Sequence, residues 1–246
     1  MKILLLDAET APKRAFVWSM WKNNVSLDQL EADGYILCVC CKWLDERQVH
    51  EFSIPSAKSE NDKPVLQKVW KLLNEADVVI AHNGKKFDLP TLNARFAIHG
   101  MKPPSPYKIV DTLDLARRKF RFTSNRLDAL GLFLGLGRKK ETGGFMLWRN
   151  VMDGCKNSLK KMVAYCKQDV LLLEKVYLRL RPWDNQHPNR GLTDGEGCPV
   201  CGSGHLQSRG YMYTKVYTYK RYCCTDCGSW SRDRISSDKN KGMKVL

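Results

Sequence analysis

Asp7 and Glu9 stand two apart at the end of an apolar run, in the stretch I-L-L-L-D-A-E-T from Ile3 to Thr10. Side chains of a strand alternate between its faces, so positions two apart project together. Two adjacent carboxylates repel, and both ionise cheaply only with a cation between them. Oxygen ligands of this kind suit Mg²⁺ or Mn²⁺. Alone, the pair is better read as a solvated acidic turn after a strand, so the metal reading depends on carboxylates further along. Asp88 closes N-G-K-K-F-D after the apolar V-V-I-A. There Asn83 and Gly84 form a turn, Phe87 anchors the following helix in the core, and Asp88 sits at that helix start. Capping the helix is its simpler role. Asp169 closes Y-C-K-Q-D. Residues i and i+4 share a helix face, so Tyr165 and Asp169 point the same way while Met162, Val163, Val170 and Leu173 pack inward.

A second chemistry lies near the C-terminus. C-P-V-C-G from Cys198 and C-T-D-C-G from Cys224 are two C-x-x-C-G knuckles. Cys198, Cys201, Cys224 and Cys227 at this spacing make a closed tetrahedral Zn²⁺ site, structural rather than catalytic. Cys223 is an alternative ligand, but Cys224 preserves the knuckle spacing. Between the knuckles Tyr211, Tyr213, Lys215, Tyr217 and Tyr219 share one parity. Such a face could stack bases and touch phosphates, or serve as the packing face of a tiny domain. Cys38, Cys40 and Cys41 lie within one apolar run at no metal-binding spacing and read as small core residues.

D-x-E-T on a first strand, N-x-x-x-F-D after a later strand and Y-x-x-x-D on a C-terminal helix occur in order. Together with V-D-T-L-D-L-A-R at 110–117 and L-D-A-L-G-L-F-L-G-L at 127–136, they resemble the DEDDy 3′–5′ exonucleases of the ribonuclease H-like superfamily. The histidine branch of that group would place His where Ala164 stands. The resemblance covers residues 1–180, and the cysteine module resembles a zinc ribbon. It implies two catalytic Mg²⁺ or Mn²⁺ ions: Asp7, Glu9 and Asp169 hold the ion that carries the attacking water, Asp7 bridges to a second, and Asp88 acts partly through water. Tyr165 orients the water. Thr10, Asn83, Lys85 and Phe87 are the expected nucleic-acid contacts, and His82 is a structural turn residue. The implied activity is exonucleolytic hydrolysis of DNA from its 3′ end, single-stranded DNA preferred. An exoribonuclease and a non-catalytic nucleic-acid-binding adaptor are the alternatives. Nothing resembles a polymerase or helicase, so proofreading would serve a separate polymerase or replication protein, in a phage or bacterial setting.

The elements that must position these residues read as an α/β domain, a mixed sheet flanked by helices, followed by a small β zinc-ribbon module. Strands are expected at Ile3–Thr10, Tyr35–Leu44, Arg47–Ile54, Asp77–His82 and Lys108–Asp111. Helices are expected at Pro64–Ala76, from Asp88 to Gly100, from Leu113, across Asn125–Leu136, and over Ser158–Leu180 with Ser158 as N-cap. Residues 138–157 read as irregular. The organisation is 1–182 exonuclease domain, 183–197 linker, 198–234 ribbon and 235–246 flexible tail. With 246 residues and 43% hydrophobic content the chain can hold one domain of about 180 residues and a small module. Its charge of +15 favours a polyanion. Cations cluster at Arg117, Arg118, Lys119 and Arg121 around Phe120 and Phe122, at Arg138–Lys140, and at Lys156, Lys160 and Lys161. No apolar run reaches the length of a membrane span, and the first acid comes too early for a signal peptide, so a cytoplasmic protein with reduced thiols is expected.

Overall fold

The structure, a computed structural model, describes residues 1–55, 60–138, 143–192 and 197–238. Lys139 and Lys140 of the second basic cluster, 193–196 of the expected linker and 239–246 of the expected tail lie outside them. The chain divides into two compact units, Lys2–Tyr177 and Leu178–Leu246 with Met1, and the division falls within the last long helix.

The first unit is built on β1 (Ile3–Thr10), whose Ile3–Leu6 run is buried. It lies at the centre of a five-stranded sheet with β4 (Ile36–Trp43), β5 (Val49–Ser53), β6 (Val78–Ala81) and β7 (Lys108–Asp111), in the order β5-β4-β1-β6-β7. β4 runs antiparallel to β1 and to β5, whereas β6 runs parallel to β1 and to β7. The apolar runs of β1, β4 and β6 have no polar alternation because both faces of the sheet are covered. Cys38, Cys40 and Cys41 are fully buried in β4.

Two short strands, β2 (Arg14–Ala15) and β3 (Leu30–Ala32), pair antiparallel and carry between them the exposed Phe16, Trp18 and Trp21. α1 (Lys63–Glu75) has Pro in its first turn, where no helical N–H is lost, and buries Val65, Leu66, Val69 and Leu73. α2 (Asp88–Ile98) buries Leu89, Leu92 and Phe96. Phe87 is half-exposed at the position before α2 and does not anchor the helix, as the sequence had suggested; Leu89 takes that place. α3 (Thr112–Lys119) starts from Asp111, whose carboxylate accepts from the backbone N–H groups of Leu113 and Asp114. α4 (Leu127–Phe133) is shorter than its leucine spacing suggests, because the chain turns at Gly135 and Gly137, both at positive φ.

Two expectations need correction. Residues 138–157 are not wholly irregular: α5 (Phe145–Met152) buries Leu147 and Val151, one helical turn apart. α6 (Lys156–Leu180) begins before Ser158, which lies buried in its first turn. Cys155 precedes the helix instead. Hydrogen bonds from the Ser158 hydroxyl and from the Ser158 and Asn157 backbone hold its thiol below the usual range. Met162, Cys166, Val170, Leu173, Val176 and Tyr177 form the buried stripe of α6.

Two ion pairs tie helices to the sheet. Lys42 on β4 donates to Glu174 on α6 at 2.5 Å. Asp62, fully buried before α1, accepts from the Ile36 backbone N–H at 2.9 Å and from Arg95 Nε and Nη2 at 2.7 and 2.9 Å, with His99 Nε2 at 2.7 Å. Burial works to raise the Asp62 carboxyl, but these hydrogen bonds and the Arg95 charge hold it below its ordinary range.

The second unit contains a three-stranded antiparallel sheet, β8 (Leu206–Tyr213), β9 (Thr218–Cys224) and β10 (Trp230–Arg232), with β9 in the middle. A small core of Cys198, Val200 and Cys224 lies against it, with Leu206 packed alongside. Among the described residues no helix is long and apolar enough to cross a membrane.

Candidate metal centres

Asp7 and Glu9 leave the same face of β1, opposite Cys40 and Cys38 of β4. The pairing shifts between Glu9 and Thr10, where a bulge ends the regular ladder. Asp169 comes to this strand end from α6, and one carboxylate oxygen from each of Asp7, Glu9 and Asp169 lies within 4.8 Å of the others. Asp7 Oδ2 and Asp169 Oδ1 are buried atoms with no hydrogen-bond partner, although both residues make other contacts. Three anionic oxygen donors converging in this way, with a buried oxygen each from Asp7 and Asp169 that accepts no hydrogen bond, suit a divalent cation of the Mg²⁺ or Mn²⁺ type.

What lies beneath the cluster is apolar and neutral. Cys166 Sγ on α6 donates to the Asp7 carbonyl at 3.3 Å, and Cys40 Sγ to the Val163 carbonyl at 3.7 Å. Burial pushes the Cys166 thiol well up, and the hydrogen bond with Cys166 together with burial does the same for Cys40. These sulfurs are protonated packing groups that seat α6 on the sheet and so place Asp169.

Asp88 is buried beside this cluster rather than in it. Its Oδ1 accepts from the Ala8 backbone N–H at 3.0 Å, between the two acidic residues of β1. It therefore does not cap α2; no side chain caps that helix. The loop that delivers it is fixed by two features. Asn83 adopts φ +67° and its carbonyl accepts from the N–H groups of Lys86 and Phe87. Gly84 packs so closely on β6 that a Cβ there would lie 2.2 Å from Ala81 Cβ. Asp111, which the sequence reading passed over, holds the same loop: Oδ1 accepts from Asn83 N at 2.9 Å and Oδ2 from Lys85 N at 3.1 Å. The V-D-T-L-D run gave the signal, an Asp at a strand-to-helix junction.

Tyr165 lies one turn before Asp169 and is half-buried. It lines a cavity of about 370 Å³ with His82, Asn83, Asn125, Arg117 and Arg126. Both His82 ring nitrogens are engaged, with Thr112 Oγ1 at 2.9 Å and the Asn125 carbonyl at 3.0 Å. Among the expected nucleic-acid contacts, Thr10 is half-buried just past the bulge, Asn83 is half-buried, and Lys85 and Phe87 are exposed.

The second centre is made by Cys198, Cys201, Cys224 and Cys227, whose sulfurs lie within 4.8 Å of one another. The Cys198–Cys227 and Cys201–Cys224 sulfur separations are both 3.7 Å. A disulfide needs about 2.05 Å. Four thiolates about 2.3 Å from one Zn²⁺ stand about 3.8 Å apart along the edges of the tetrahedron, so the cluster fits zinc. The two knuckles repeat one geometry: Gly202 N donates to Cys198 O at 2.8 Å and Gly228 N to Cys224 O at 2.9 Å. Both glycines have positive φ, which is what the G after each C-x-x-C supplies. At Cys198, burial is outweighed by hydrogen bonds from Ser229 and the backbone of Cys201 and Val200, which lower its thiol to about 7. Cys223 pairs with Trp230 and projects from the sheet face opposite Cys224, so it is not a ligand.

The tyrosines do not share one face. Tyr213 pairs with Thr218 and Thr214 with Tyr217 across a two-residue turn, so from Tyr211 to Tyr213, past the irregularity in β8, odd positions lie over even positions on β9. Tyr211 and Tyr213 project from one side, and Tyr217 and Tyr219 from the other with Met212.

The family model RNase_H_2, described as RNase_H superfamily, matches residues 27–181, and the chain belongs to that superfamily. Asp88, Tyr165 and Asp169 lie within the match, and Asp7 and Glu9 precede it. No curated protein matches the chain in sequence. Among solved structures it is similar to the family B DNA polymerase from the hyperthermophilic archaeon Pyrobaculum calidifontis, with a TM-score of 0.52 and 16% identity. That match covers 74% of this chain and 25% of the polymerase. At this identity the likeness is one of fold.

Proposed function

We propose that this chain is a metal-dependent 3′–5′ exonuclease of the DEDDy type, acting on DNA and preferring single strands. The observation that carries the reading is the convergence of Asp7, Glu9 and Asp169, from a strand and a helix far apart in sequence, to within 4.8 Å. Superfamily membership and the order of the D-x-E, N-x-x-x-F-D and Y-x-x-x-D motifs support it. Divalent cations in such a cluster supply an activated water and stabilise charge on the phosphoryl oxygens. The chain's own residues do the rest. Asp88 adds a fourth negative charge beside the cluster, held to β1 through Ala8. Tyr165 shares a helix face with Asp169, and its hydroxyl orients the attacking water or takes part in moving its proton. Arg117 and Arg126, in the cavity beside Tyr165, hold the phosphates of the strand whose end is being cut. Within this reading, residues 1–182 form the nuclease and the ribbon is a separate module.

The test is cleavage of 5′-labelled single-stranded DNA, duplex DNA and RNA with Mg²⁺, Mn²⁺ or EDTA, comparing the wild type with Asp7→Asn. The expected result is a ladder shortening from the 3′ end of the single-stranded DNA, abolished by EDTA and lost in the folded variant. Activity above about a tenth of wild type in Asp7→Asn would refute the metal cluster as the catalytic centre. Preference for the RNA strand would transfer the reading to an exoribonuclease.

A further inference from the structure

One face of the C-terminal sheet is built as an alternation of rings and guanidinium groups. Trp230 pairs with Cys223 and Arg232 with Arg221 across β10 and β9, so Trp230, Arg232 and Arg221 project from one side. Tyr219, two residues before Arg221, joins them, opposite Met212 of β8. The Arg232 guanidinium lies 3.7 Å from the centre of the Tyr219 ring, and that of Arg221 lies 4.8 Å from the Trp230 ring. Arg221 is also steadied by the Arg209 carbonyl, which accepts from its Nε and Nη2 at 3.2 and 3.0 Å. Tyr217 stands edge-on to Tyr219 at 6.4 Å and is more than half exposed, as is Trp230.

Two arginines facing each other across a ladder repel, and a sheet ordinarily relieves this with an acid on the same face. None does so among the described residues. Asp226 faces Ser203 and His205, and Asp233 accepts from Tyr222 on the other side. The like-charge pair is held by the rings and by backbone carbonyls, Arg209 O for Arg221 and Asp233 O for Arg232 at 3.2 Å, which leave Arg221 Nη1 and Arg232 Nε and Nη2 for a ligand. This arrangement matches a ligand with flat apolar faces and a regularly charged edge. Bases stack on rings and on guanidinium planes, and phosphates take the N–H edge. The overall charge of +15 draws the same ligand.

We propose that the Tyr219–Arg221–Trp230–Arg232 face binds single-stranded nucleic acid, as a second contact surface separate from the acidic cluster. It rests on the reading that the chain works on nucleic acid, yet it is tested by binding, not cleavage. The full-length protein in Ca²⁺ is titrated with a fluorescent single-stranded oligonucleotide at several salt concentrations, and its zinc content is measured. Arg221→Gln with Arg232→Gln is expected to weaken binding at least tenfold and to reduce the slope of log K against log salt by about 1.4, the two phosphate contacts at about 0.7 each. Arg221→Lys with Arg232→Lys keeps the charges but loses the planar stack; it should retain most of the slope and still lose affinity. Wild-type affinity and slope in the glutamine variant, with zinc still bound, overturn the proposal. So does equal weakening by both double variants with zinc lost, which would mark the arginines as structural. If the oligonucleotide binds only through the first unit and an acidic protein binds here instead, the glutamine variant will again leave oligonucleotide binding untouched. A wild type that binds the strand and cuts nothing refutes the exonuclease reading and leaves this one standing.

Discussion

At the scale of residues, the two members of the Y-x-x-x-D motif have separable tasks. Asp169 contributes a buried oxygen to the acidic cluster, whereas Tyr165 borders the neighbouring cavity. Under the proposed function Asp169→Asn removes one of the charges that would hold the metal and is expected to abolish cleavage. Tyr165→Phe keeps the ring and its packing and isolates the hydroxyl. It should lower kcat by about 10²- to 10⁴-fold with KM little changed. Single-turnover cleavage by the two folded variants checks the order; a Phe variant at wild-type rate would make Tyr165 a packing residue. The carboxylates of β1 are legible in the sequence because an apolar run ending in D-x-E admits few other structures. Asp111 is legible only as a helix cap after a strand; the Asn83 and Lys85 N–H groups it also accepts from are brought to it by the fold. Asp62 is not legible, because its partners, the Ile36 N–H, Arg95 and His99, are distant in sequence and no local pattern announces them.

At the scale of elements, Asp62 is where β4, α1 and α2 meet. Its pKa is depressed in the folded protein, so it stabilises the fold fully above the ordinary carboxylate pKa of about 3.9. That stabilisation is lost as pH falls through the lowered folded value. Asp62→Asn leaves the half-buried Arg95 without its anion, so we expect a loss of about 3 kcal/mol at neutral pH. We also expect a flatter decline below pH 4. Urea unfolding across pH 2–7 on both proteins checks both, and parallel acid limbs would remove Asp62 from the account. Long apolar elements such as β1, β4, β6 and α6 follow directly from composition and period. The α5 helix does not, since only Leu147 and Val151 carry its period. The faces of the ribbon tyrosines are likewise hidden, because a two-residue turn reverses which parity faces which side.

At the scale of the whole molecule, the two units depend on different forces. The first closes a sheet between covered faces; the second has a core of Val200 and Leu206 packed with the four cysteines. A core that small folds only with its metal. The purified protein should therefore carry one tightly held Zn²⁺. Removing it, or substituting Cys201→Ser, should melt the sheet of β8 to β10 while residues 2–177 keep their structure. Elemental analysis with amide hydrogen exchange on the full chain reads both outcomes. Uniform loss of protection in both units would show one cooperative body instead.

The pairing of β1 carries a consequence for synthesis. Leu4 lies between Trp43 and Val79, so the central strand finds neither partner until long stretches of chain have followed it. Closing such loops is slow because their entropy is spent before the ladder repays it. Asp169 follows later still. At about 5–20 residues per second, roughly 10–30 s separate the emergence of Asp7 from that of Asp169. During that interval the growing chain carries Asp7 and Glu9 without Asp169, so the cluster is incomplete. If the proposed function holds, a nascent chain would be inert until α6 has emerged and docked.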